Sequence, residues 1–171
     1  PATPKDGAVQ EIADQIKADI DAAYGEVFAK TETDLNGNKA PGNRTEETNL
    51  GDLITDAMLW KILQNAEDLD VPEENILAIT NGGGIRASIA KGNITKKDVN
   101  TVLPFGNTLA VVYISGAELL EALEASTYCT PGAVGGFPQV AGIKFTIDTT
   151  KEYDANADTY PGSTYHGPKS I

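Results

Sequence analysis

Asn75-Ile76-Leu77-Ala78-Ile79-Thr80-Asn81-Gly82-Gly83-Gly84-Ile85-Arg86 runs from an apolar, strand-like segment into three glycines and out through an arginine. Glycine permits positive φ and leaves no side chain to block a ligand. An amide, Asn81, and a guanidinium, Arg86, flank that bare backbone, with Gly83 at its centre. Arginine matches two phosphate oxygens at once through its planar donors. Thirteen residues are Lys or Arg, but only Arg44 and Arg86 are arginines, and both lie in motif-like segments. The spacing is neither that of a P-loop nor that of a dinucleotide fingerprint. Locally, two readings stay open: an anion-binding loop, or a tight connection after a strand.

The remainder of the chain limits what that loop can serve. The 171 residues fit one ordinary domain with a real core. No apolar run is long enough to span a membrane. A net charge of −12 and a pI near 4.4 argue against nucleic-acid binding, which needs a basic footprint. A phosphate ligand would need a local basic pocket, for which Arg44 and Arg86 are the candidates. Cys129 is the single cysteine, so no internal disulfide forms, and it is read as a packed side chain. His166 is the single histidine and sits in a Pro/Gly-rich tail from Tyr153, away from any credible triad or ligand cluster. The chain starts at Pro1 without a signal-peptide pattern and is read as processed or partial.

Periodicity predicts a helix over 7–30, with Val9, Ile12, Ile16, Ile20, Tyr24 and Val27 on one face. It is read either as a surface helix or as a connecting one. A second helix is predicted from Thr48 or Asn49, burying Leu50, Leu53, Ile54, Ala57, Met58 and Ile62. Thr95 with Asp98, and Ser115 with Glu118, have the spacing of capping boxes that start two more helices. Strands are predicted over Thr108–Ile114 and Val140–Ile147. The class is α+β, mixed α/β layers with helices covering sheet.

Phe105 lies between Pro104 and Gly106, in a turn that can offer its ring to a planar ligand or fold it into the core. Arg44 precedes the second helix, whose N-terminus favours anions, although Glu46 and Glu47 also allow a simple surface pair.

Six segments, in order, resemble the C-terminal domain of the 5′-nucleotidase and UDP-sugar hydrolase family. They are 44–58, 81–86, 92–99, 102–109, 114–120 and 136–142. The resemblance implies a 5′-nucleotidase C-terminal-domain-like fold over 33–171, truncated at its C-terminus, behind an amphipathic linker helix within 1–32. It implies that Arg44 and Arg86 bind the phosphate side of a nucleotide or nucleotide-sugar. Asn81 and Gly83 would line the pocket, and Phe105 would stack on the base. The family's two divalent metal ions belong to an N-terminal metallophosphoesterase domain. By the resemblance this chain carries no catalytic residue, metal ligand or cofactor of its own, and that domain is its partner. The parent would be secreted, periplasmic or cell-wall associated. Two departures stand out: Glu46 occupies a position where many members are basic, and the segment supplying a second stacking aromatic does not appear before Ile171. The alternative is a non-catalytic module that binds a phosphorylated small molecule.

Overall fold

The computed structural model describes residues 4–151. The tail from Tyr153, with His166, lies outside the described residues. The elements run α1 (Gly7–Tyr24), β1 (Val27–Thr31), α2 (Asn49–Leu63), β2 (Ala78–Asn81), β3 (Gly92–Thr95), α3 (Lys96–Val102), α4 (Gly116–Ser126) and β4 (Pro138–Ala141). Helices and strands are mixed, and the sheets are small: β1 pairs antiparallel with β3, and β2 antiparallel with β4.

The first helix ends six residues before the predicted limit. Gly25 caps it, donating its N–H to Asp21 O at 2.9 Å, and Val27 enters β1 instead of continuing the apolar stripe. Val9, Ile12, Ile16, Ile20 and Tyr24 do lie at helical spacing, but none is buried among the described residues. Asp21 pairs with Lys97, which ties α1 to α3 and holds the Asp21 carboxyl below its ordinary pKa.

The second helix begins where its cap requires. Thr48 accepts Gly51 N–H at 3.0 Å, with Asp52 in the first turn and Lys61 in the last, both favourable to the helix dipole. Its buried face is narrower than predicted: Leu50, Gly51, Ile54 and Thr55 are buried, while Leu53 and Ala57 are exposed. Leu50 and Ile54 pack with Leu35, Ile85, Ile89, Ile94 and Val102 to form the core beneath the glycine loop.

Both capping boxes form. Thr95 accepts Asp98 N–H, and the Asp98 carboxylate accepts Thr95 N–H at 2.8 Å; Ser115 and Glu118 repeat the pattern. The Thr95 hydrogen bonds hold the Asp98 pKa below its ordinary value. Because the folded value is depressed, this stabilisation is complete above the unfolded pKa and is lost as pH falls through the folded one. Thr95→Ala is expected to cost about 1 kcal/mol at neutral pH. The difference from the parent should shrink in acid, read as melting temperature against pH.

Two predicted strands are corrected. Thr108–Ile114 is not a strand, and Leu109, Val111, Val112, Tyr113 and Ile114 are exposed. A β-rich composition makes a strand only where another backbone accepts its ladder, and no described residue does so here. Val140–Ile147 is a strand only to Ala141, where pairing with β2 ends at Ala78. Gly142 then turns out at φ +80°.

Candidate functional site

The site grows from the end of β2. Asn81 closes that strand opposite Pro138, and residues 82–84 make one tight helical turn. A strap from Val134 to Gln139 receives this loop. Gly82 N–H donates to Phe137 O at 2.8 Å, and Gly83 N–H to Gly135 O at 2.9 Å. Asn81 Nδ2 donates to the same Gly135 O at 3.2 Å.

The glycines are needed for space rather than for handedness. None of Gly82, Gly83 or Gly84 has positive φ. A Cβ on Gly82 would stand 1.7 Å from Asn43 O, and one on Gly83 would stand 2.7 Å from Gly135 O. A Cβ on Gly84 would meet nothing closer than the Asn81 side chain, at 3.3 Å. The loop is bare because two other backbones are pressed against it.

Arg86 leaves the loop exposed. Its Nη1 donates to Gly83 O at 3.0 Å, and its backbone N–H donates to Val102 O at 2.9 Å. The second bond fixes the loop to the last residue of α3, from which the chain turns through Pro104 to Phe105. The Arg86 guanidinium carbon lies 5.8 Å from the centroid of the Phe105 ring. Phe105 is 61% exposed, so the turn presents the ring instead of burying it.

Arg44 reaches the same neighbourhood by another route. Its carbonyl accepts Val134 N–H at 3.0 Å, which places it on the strap that holds the glycine loop. The preceding carbonyl, of Asn43, is the atom packed against Gly82. Arg44 Nε and Asn43 Nδ2 are buried without a hydrogen-bond partner among the described residues. No Arg44 ion pair with Glu46 or Glu47 occurs among the described residues.

Sequence reasoning missed the residues that assemble this arrangement. Gln139 is almost wholly buried, and its amide bridges β4 to the 43–48 segment. Asn43 and Thr48 are buried and bonded to each other. The segment 136–142 is noticeable as a motif, but nothing in its local pattern shows what a buried glutamine would touch.

A family model for the 5′-nucleotidase C-terminal domain matches residues 27–161. The chain belongs to the 5′-nucleotidase C-terminal domain family. It is 44% identical over 140 residues to the trifunctional nucleotide phosphoesterase protein YfkN of Bacillus subtilis, covering 82% of this chain and 9% of that protein. It is 33% identical over 153 residues to snake venom 5′-nucleotidase of Macrovipera lebetinus, covering 87% of this chain and 37% of that one. The structure of the 5′-nucleotidase precursor from Thermus thermophilus superposes with a TM-score of 0.70 at 41% identity, covering 85% of this chain and 26% of that one. This 5′-nucleotidase-family domain thus spans between 9% and 37% of these relatives' lengths.

Proposed function

We propose that this domain grips a nucleotide or nucleotide-sugar, with Arg44 and Arg86 on its phosphate side, Asn81 and Gly83 lining the pocket, and Phe105 under its base. One observation carries the reading: a phosphate-competent guanidinium and an exposed aromatic ring stand 5.8 Å apart beside a loop stripped of side chains. A nucleotide needs just such a pair, a fork for its oxygens and a flat surface for its base. The unpartnered Arg44 Nε adds a donor that no described protein group takes up.

Gripping of this kind supports phosphoester hydrolysis by orientation, since it holds the phosphate in line with an attacking water. Among the described residues no group of three or more His, Cys, Asp or Glu could hold a metal ion. The part we propose for these residues is binding. Two divalent ions would act from an N-terminal metallophosphoesterase domain of the parent, with the helix of the 1–32 segment as the joint between the two. One relative's name, snake venom 5′-nucleotidase, supports an extracellular setting for the parent, with a periplasmic or cell-wall one as the bacterial counterpart we propose. No helix among the described residues is long and apolar enough to cross a membrane.

The test is an NMR titration of this chain with AMP, adenosine and inorganic phosphate. Wild-type resonances of residues 81–86 and 105 are expected to move with AMP. Phe105→Ala is expected to weaken AMP about tenfold, one stacking contact being worth about 1–3 kcal/mol. It should leave inorganic phosphate unchanged. Unmoved resonances at millimolar AMP would overturn the reading.

A further inference from the structure

We propose that Gln139 is a positioning residue for ligand binding, acting through Arg44; the inference rests on the nucleotide-gripping reading above. Gln139 is 1% exposed in the middle of β4. Its Nε2 donates to Glu46 O at 2.8 Å and to Asn43 O at 3.2 Å, and its Oε1 accepts Thr48 N–H at 3.2 Å. Two carbonyls and one N–H match the amide in a single orientation, so every bond is made by the correct atom. All three partners lie in the backbone of residues 43–48, the segment that bears Arg44.

The space for this clip is provided on both sides. A Cβ on Gly51 of α2 would stand 1.9 Å from Gln139 Oε1, so the amide fills the place of the side chain that Gly51 lacks. On the other side, Asn43 O, which accepts from Gln139, also bears on Gly82. One side chain thus sets the height of the Arg44 segment against the loop bearing Asn81 and Arg86. A leucine or methionine there would fill the volume but leave Asn43 O and Thr48 N–H buried without this partner, and would free the part-buried Glu46 O.

The test is a double-mutant cycle on the full chain, with AMP and inorganic phosphate titrated by NMR at a temperature where each variant is folded. Gln139→Met is expected to weaken both ligands about tenfold. Placed in an Arg44→Ala background, it should produce no further loss. A merely structural glutamine would lower the melting temperature and leave affinity intact, or lower affinity by the same factor in both backgrounds; either result overturns the proposal. If Gln139→Met does not fold, the wild-type Gln139 amide protons decide. They should shift with inorganic phosphate in the wild type and stay still in Arg44→Ala, and protons that ignore phosphate in the wild type overturn it. A wild type that binds neither AMP nor phosphate removes the nucleotide-gripping reading and this inference together, whereas the other failures remove this inference alone.

Discussion

Gly82→Ala is expected to destabilise the domain by about 3 kcal/mol, at the upper end for overpacking a well-packed site. The added carbon would stand 1.7 Å from Asn43 O, a backbone atom already held by Gln139 and unable to swing aside as a flexible side chain would. Relief requires the loop and the 43–48 segment to part, which breaks the Gly82 N–H bond to Phe137 O. A domain of this size should lose about 6–12 °C in melting temperature. Gly84→Ala is the control. Its Cβ would meet only the Asn81 side chain at 3.3 Å, and its φ is not positive. It should change stability by less than about 1 kcal/mol, since alanine also restricts the unfolded chain. Thermal unfolding of both variants checks the contrast, and equal losses would mean that the loop needs glycine for backbone conformation instead of space.

Arg86→Ala is expected to weaken AMP and inorganic phosphate about 30-fold, the equivalent of about 2 kcal/mol for charge-assisted hydrogen bonds. The side chain is exposed, so folding should be little affected. Its removal takes away the proposed phosphate fork, the bond to Gly83 O and the cation over the Phe105 ring in one change. Arg86→Lys keeps the charge but has neither the fork nor the planar face, and should recover only part of the affinity. Isothermal titration or NMR shifts measure the series. Retention of phosphate affinity in Arg86→Ala would move the phosphate contact elsewhere, with Arg44 the next candidate.

The candidate site residues stand out in the sequence because their chemistry is unusual for this chain. Two arginines in an acidic protein, three adjacent glycines and an aromatic in a Pro–Gly turn each stand out without knowledge of any contact. Their roles were less legible. The glycines invited an argument from positive φ, and the structure answers with close approach, because Asn43 O and Gly135 O occupy the space. Phe105 and Arg86 are 19 positions apart in sequence, and their 5.8 Å approach depends on the Arg86 N–H bond to Val102 O. The strand β1 was hidden inside an apparent helical stripe, since Val27 satisfies both spacings until Gly25 is seen to end the helix.

Caps, turns and helix starts were readable because each is settled within three or four residues. Thr95 and Asp98, Ser115 and Glu118, and Thr48 with Gly51 find one another whatever the rest of the chain does. The strands were less so: β2 does follow the strand-like run at 75–80, but a segment of four residues carries little pattern and needs a partner that lies far away. Ala78 meets Ala141, Val27 meets Thr95, and Thr108–Ile114 has the composition of a strand but pairs with no described residue. Gln139 shows the limit most plainly. Its neighbours in sequence are unremarkable for a buried strand, and its bonds to Asn43, Glu46 and Thr48 span more than ninety positions. A glutamine becomes a clip only where folding has already brought two carbonyls and an amide to it.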